Sequence, residues 1–198
     1  MAVFQLKNPS TNARREIRNL ALVGFMGVGK SVIGRRVAHA LGFEFLDTDS
    51  CIERHQNRSI GDIFKTEGES FFRDLEHETT LQLENKSNIV ISTGGGLILN
   101  PKNLISLKKH ALVVCLWASP ERIWQRVRNQ SHRPLLETEN PQEKIRNLLH
   151  QRTPFYRQAD VLLNTEFRTI KEVTRQVVGH FYLAQRSASL PLKRSLEG

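Results

Sequence analysis

Cysteine is scarce in this sequence: Cys51 and Cys115 are the only two, far apart in the chain. That count and spacing exclude a disulfide framework and a cysteine-built zinc site, and they suit two free thiols in a reducing cytoplasm. The seven histidines are scattered and show no H-E-x-x-H or similar spacing, so no histidine-built metal centre is expected. No stretch reaches about 18 consecutive apolar residues, so no transmembrane helix is expected. The first residues lack the apolar core of a secretory signal. No internal repeat or low-complexity block is visible. What remains is 198 residues, 39% hydrophobic and 25% charged, the profile of one globular domain with a real core.

The net charge of +9 raises nucleic acid as a partner, but the charge is unevenly placed. Residues 1–18 carry Lys7, Arg14, Arg15 and Arg18 against Glu16, and residues 183–198 carry Arg186, Lys193 and Arg194 against Glu197. Both end segments are polar and aperiodic and read as solvated tails. The centre keeps only +4, which suits small anionic ligands such as nucleotide phosphates, and the tail location of the rest argues against nucleic acid as partner; no membrane partner is expected either.

One stretch organises the rest. Gly24-Phe25-Met26-Gly27-Val28-Gly29-Lys30-Ser31 fits G-x-x-x-x-G-K-[ST]. The apolar run Asn19–Val23 precedes it and reads as a buried strand. Ile33, Val37, Ala40 and Leu41 follow at helical spacing. Strand, glycine-rich turn and helix in that order form a phosphate-binding loop. Its glycines let backbone N–H groups close around an anion, and the helix start adds partial positive charge. Gly27, Val28, Gly29 and Val32 frame the nucleotide phosphates, Lys30 can reach the outer ones, and the Ser31 hydroxyl can ligate Mg²⁺.

Strands and helices then alternate. Phe43, Phe45 and Leu46 make a second strand with Asp47 and Asp49 at its C-terminal end, the edge where open parallel sheets bind ligands. Either acid could cap the helix at Ser50–Gln56. Equally, one could hold a metal-bound water while the other orients or deprotonates a hydroxyl. Ser59 opens a short helix. A longer one, about Glu67–Asn85, contains Arg73, for which a surface ion pair with its acidic neighbours is the plain reading. A third strand, Asn88–Ser92, leads into Gly94-Gly95-Gly96, where backbone can approach a ligand closely. Asn100-Pro101 opens a helix. Ala111–Trp117 is a continuous apolar strand without the terminal acid of a Walker-B motif, which leaves Asp47 as the acid to assist the metal. Ser119 caps a helix ending near Arg128. A polar segment of about 129–140 has the length of a lid, and Pro141 begins a helix that Pro154 bends or ends. A fifth strand at Asp160–Leu163 and a closing helix at about Thr169–Leu183 complete a three-layer α/β fold.

Taken together, these motifs resemble the shikimate kinases. The resemblance rests on the P-loop, the D-T-D of Asp47–Asp49, the F-x-x-x-G-E-x-x-F-R-x-x-E run of Phe64–Glu76, the triple glycine, R-P-L-L at Arg133–Leu136 and R-x-P-x-Y at Arg152–Tyr156. It implies a P-loop kinase fold with a five-stranded parallel sheet in the order 2-3-1-4-5 and a moving lid. It implies transfer of the ATP γ-phosphate to the 3-hydroxyl of shikimate, with Mg²⁺, by a monomer. By position, Lys30 matches the phosphate-binding lysine, Ser31 the metal ligand and Asp47 the holder of a metal-bound water. Asp49 matches the residue facing the substrate hydroxyls. Arg73 and Arg152, with Gly94, Gly95 and Gly96, match the grip on the substrate. Arg133 matches the lid arginine over the transferring phosphate, and Arg126 and Arg168 fall near the adenine. The domain is read as residues 19–182. Without the resemblance, the residues alone reach a P-loop kinase of a small hydroxylated molecule. A gluconate kinase is the nearest rival, and a non-catalytic nucleotide-binding module is the rival of a different class.

Overall fold

The computed structural model describes residues 15–128 and 139–189. Five strands are present there: β1 Asn19–Val23, β2 Glu44–Asp47, β3 Ile89–Ser92, β4 Ala111–Trp117 and β5 Val161–Asn164. All neighbours are parallel and the spatial order is β2-β3-β1-β4-β5, as expected. The inner strands are covered on both faces. β1 and β3 are buried throughout, and β4 is buried up to its last residue, which is why they read as unbroken apolar runs.

Eight α-helices among the described residues surround the sheet: α1 Lys30–Leu41, α2 Thr48–Gln56, α3 Ile60–Thr66, α4 Gly68–Leu83, α5 Pro101–His110, α6 Pro120–Val127, α7 Pro141–Tyr156 and α8 Ile170–Ser189. Their starts follow local chemistry. Ser59, Asn100, Ser119 and Asn140 each accept a backbone N–H at an N-cap, and three of the helices so capped open with proline. The main core packs α1, α5, α6, α7 and α8 on the sheet. A smaller cluster of Ile52, Ile63, Phe72 and Leu75 joins α2, α3 and α4 beside it.

Pro154 occupies the last turn of α7, which ends at Tyr156. Two elements depart from the sequence reading. α8 continues to Ser189, past the expected Leu183. Residues 15–18, expected in a solvated tail, are anchored at the base of the sheet. Arg15 meets Asp160 through two hydrogen bonds of 2.8 and 2.7 Å and also donates to the Ala111 carbonyl. The Gln185 amide donates to the Ile17 carbonyl at 3.1 Å. At this same base, Asn19 donates from one amide to both Lys86 O (2.7 Å) and His110 Nδ1 (2.8 Å), while its oxygen accepts from Ile89 N–H. The opposite, C-terminal edge of the sheet carries the site.

Candidate active site

The phosphate loop joins β1 to α1. Gly24 (φ +134°) and Gly29 (φ +99°) hold backbone conformations that a side chain would strain. Gly29 is the N-cap of α1 and offers no side-chain cap, so the first N–H groups of α1 are left for an anion. Lys30 Nζ curls over the loop and donates to Gly24 O and Phe25 O, both at 2.9 Å. Val32, half exposed, lies on the open side of α1.

Strand register builds the metal side. β2 pairs with β3 so that Asp47 lies beside Ser92, and β1 pairs with β3 so that Leu22 lies on the other side of Ser92. Ser31, from the start of α1, then reaches both: its hydroxyl donates to Asp47 Oδ2 at 3.0 Å and stands 3.2 Å from Ser92 Oγ. Three oxygen donors of this kind suit a hard cation that keeps its waters and phosphate oxygens. Among the described residues no group of three His, Cys, Asp or Glu could enclose a metal unaided. Asp47 also caps α2, accepting Ser50 N–H at 3.5 Å, so capping and the Ser31 contact fall on one carboxylate. Asp49, the other candidate cap, lies inside the first turn of α2 instead.

The acceptor side forms where α2, α4 and α7 meet the triple glycine. Thr48, buried at the start of α2, accepts Gly94 N–H at 2.9 Å. Gly94 has no room for a side chain: a Cβ there would lie 2.5 Å from Asp49 Oδ1 and 3.0 Å from Glu76 Oε1. Both of these carboxylate oxygens are buried and lack a hydrogen-bond partner among the described residues. Burial, with the negative charges of Asp47 and Glu76, pushes Asp49 from the ordinary 3.8 up to about 6, against the pull of Lys30. Burial also raises Glu76, although Arg73 holds it back.

Two arginines complete this side. Arg73 is no loose surface pair. Its Nη1 meets Glu76 Oε2 at 2.7 Å and its Nη2 meets Glu69 Oε1 at 2.7 Å, which aims the guanidinium at Gly96. Arg152, from α7, donates to Gly95 O at 3.4 Å and lies 5.5 Å from the Phe25 ring centre. Tyr156, one turn further along α7, donates to the same carbonyl at 2.7 Å. Arg73 and Arg152 therefore stand over consecutive glycines, Gly96 and Gly95.

On the far side of the phosphate loop, Arg126 of α6 donates to Thr165 O (2.9 Å) and Thr165 Oγ1 (3.1 Å) and lies 3.4 Å from the Gly27 and Val28 carbonyls. Arg168 donates to Asn164 O at 2.6 Å. Both arginines are thus held by consecutive residues at the end of β5. Arg133 and most of the expected lid, residues 129–138, lie outside the described residues. Sequence reading assigns no role to Ser92, Glu76 or Tyr156. The last two close the motifs Phe64–Glu76 and Arg152–Tyr156, and they sit three and four residues after Arg73 and Arg152 on the same helix faces.

The family model of shikimate kinase matches residues 26–181. The chain belongs to the shikimate kinase family. The shikimate kinase of Thermus thermophilus is 46% identical over 179 residues, spanning 90% of this chain and 94% of the relative. That of Thermoanaerobacter pseudethanolicus is 43% identical over 162 residues, spanning 82% and 95%. In three dimensions the chain is similar to the shikimate kinase of Acinetobacter baumannii solved in complex with shikimate. The TM-score is 0.80 and identity 36%, over 89% of this chain and 97% of that one. As a member of this family the chain is an ATP-dependent kinase with the P-loop fold.

Proposed function

We infer that this chain transfers the γ-phosphoryl group of ATP to the 3-hydroxyl of shikimate, giving shikimate 3-phosphate and ADP on the route to aromatic amino acids. The observation that carries this reading is the meeting of two unpartnered buried carboxylate oxygens, on Asp49 and Glu76, with two arginines at one glycine turn. Buried acceptors of this kind suit a hydroxylated ligand, and paired guanidinium groups suit its carboxylate.

Phosphoryl transfer depends mostly on positioning and on charge stabilisation. In this reading the loop amides from Gly27 to Val32 and Lys30 hold the phosphates of ATP, and Arg126 and Arg168 flank the base. Ser31 directly, and Asp47 through water, would hold Mg²⁺, which when bound neutralises charge on the phosphate oxygens. Arg73 and Arg152 hold the shikimate carboxylate over Gly95 and Gly96. Asp49 accepts the hydrogen bond, and then the proton, of the attacking hydroxyl. Arg133 covers the transferring group from the lid. No helix among the described residues is long and apolar enough to cross a membrane. The reading is of a monomer acting on small molecules in the cytoplasm, without a nucleic-acid or membrane partner.

A coupled ADP-release assay offering shikimate, gluconate and nucleoside monophosphates separately tests this. Turnover with shikimate at a kcat/KM at least about a hundredfold above the others is expected. Turnover with gluconate instead would transfer the assignment to the nearest rival. ATP binding without turnover of any acceptor would leave only a nucleotide-binding module.

A further inference from the structure

Asn103 lies in the first turn of α5 and is wholly buried. It does not cap the helix, because Asn100 does, accepting Lys102 N–H at 3.0 Å. Its carboxamide instead bridges two other elements. Nδ2 donates to the Leu97 carbonyl at 2.9 Å, and Oδ1 stands 2.7 Å from His77 Nδ1. A carbonyl can only accept, so the amide orientation is fixed. Oδ1 must then accept, and the proton of His77 must sit on Nδ1.

The two bridged groups border the acceptor site. Leu97 directly follows Gly96, the glycine over which Arg73 stands. His77 follows Glu76 and lies one turn beyond Arg73 on α4. The amide is thus a cross-tie between the glycine turn and the helix that supplies Arg73 and Glu76. Other anchors hold the front of the turn: Thr48 binds Gly94 N–H, from α2, and Tyr156 binds Gly95 O, from α7. At the back of the turn the backbone bonds are Leu97 N–H to Gly94 O at 3.3 Å and Leu99 N–H to Gly96 O at 2.9 Å. These bonds fix the shape of the turn but not its distance from α4.

That distance matters here more than elsewhere. A Cβ on Gly96 would lie 2.6 Å from Arg73 Nη1, so guanidinium and backbone already sit in close approach. A shift of the turn by a fraction of an ångström either crowds Arg73 or opens the fork to Arg152. A buried amide is also a poor choice for packing alone. An apolar residue here would leave the Leu97 carbonyl and the His77 N–H without these partners, so the amide is tied to both groups.

We propose that Asn103 is a positioning residue for the acceptor: through Leu97 and His77 it sets the separation between the glycine turn and Arg73, and so tunes the affinity for shikimate. The inference rests on shikimate being the acceptor, as proposed above.

Four variants test it, each measured for shikimate KM, ATP KM, kcat and Tm. Asn103→Leu keeps the branched shape, with more bulk, and removes both bonds. Asn103→Asp keeps the acceptor for His77 and removes the donor to Leu97. His77→Ala removes the other bond, and His77→Gln restores a donor on the same helix face. The first three are expected to raise shikimate KM about tenfold, with ATP KM within about twofold and kcat within about threefold, whereas His77→Gln recovers most of the loss. Should Asn103→Leu fail to fold, Asn103→Asp and His77→Ala, each losing one bond, carry the test. A lowered Tm with shikimate KM unchanged in these variants would make Asn103 a structural residue only and overturn the proposal. An equal rise in both KM values would do the same. The wild-type protein in the same assay separates the two readings: if it does not phosphorylate shikimate, the acceptor assignment fails, whatever the variants do.

Discussion

Arg73 Nη1 occupies nearly the space that a Cβ on Gly96 would fill, whereas Gly95 has room for one, with its nearest neighbours at 3.6 and 3.8 Å. Neighbouring glycines of one turn therefore differ in kind. Gly96→Ala would push on the end of a flexible side chain, which can yield, so the fold is expected to survive with little change in Tm. The displaced guanidinium leaves the shikimate carboxylate half-gripped, and shikimate KM is expected to rise at least about tenfold. Gly95→Ala is expected to leave Tm and the position of Arg73 near wild type. An unchanged shikimate KM for Gly96→Ala in steady-state kinetics would show that Arg73 does not hold the substrate from this position.

Asp49 combines burial with two acidic neighbours. Its carboxyl, raised from 3.8 to about 6, must lose its proton before it can take one from the substrate. The acidic limb of kcat/KM against pH is expected to turn near about 6. Asp49→Asn should cut kcat by about 10²–10⁴ and retain ATP binding by calorimetry. A raised carboxyl also weakens the fold as it ionises, because the folded state holds its proton more tightly than the unfolded chain. Its stabilising effect is present below about 3.8 and is lost as pH climbs through about 6. Asp49→Asn is therefore expected to stabilise the protein at neutral pH, by up to about 3 kcal/mol. Loss of both activity and stability would mean that Asp49 serves the fold rather than the reaction.

His110 titrates in the opposite sense. Burial, with Arg18 nearby, pulls it from 6.5 down to about 4, and it accepts the Asn19 amide through Nδ1. A lowered histidine contributes stability that is complete above 6.5 and is lost as pH falls through about 4. Between about pH 6 and 4 the fold therefore gains from Asp49 while losing from His110. With the Asp49 contribution removed, Asp49→Asn is expected to show a steeper loss of Tm on acidification than wild type, and His110→Gln a shallower one. Parallel Tm profiles for all three proteins would count against both assignments.

The lid arginine acts, in the proposed function, only when charge on the transferring group is unshielded. Arg133→Ala is then expected to lower kcat by a factor of about 10² or more while shikimate KM changes by less than about threefold. Lys30→Ala differs, because it should weaken ATP binding itself, read by calorimetry. An unchanged kcat for Arg133→Ala would return that residue to the surface.

Where chemistry depends on contiguous residues, it was legible before any fold was known. The phosphate loop, the Asp47–Asp49 pair and the triple glycine are each a few residues long, and β4 announced itself by being apolar along its whole length. What escaped reading depends on register or on distant partners. Ser92 joins Ser31 and Asp47 only because β3 lies between β1 and β2. Asn103 and His77 are 26 positions apart and ordinary by composition. Arg15 looked like one more charge in a polar tail, since nothing local indicates that Asp160 waits for it across the sheet.

The Arg15–Asp160 pair has a practical corollary for anyone trimming this protein. The family match starts at residue 26 and stops at 181, yet Arg15, outside those limits, binds Asp160 inside them, and Gln185 binds Ile17, joining the two flanking segments to each other. Beginning a recombinant chain at Asn19 would take the bidentate partner from a partly buried carboxylate, leaving it Val113 N–H at 2.8 Å and Lys108 at 3.3 Å. The contacts of this chain extend past the limits of the family match, so cloning boundaries belong ahead of Arg15 and beyond Gln185.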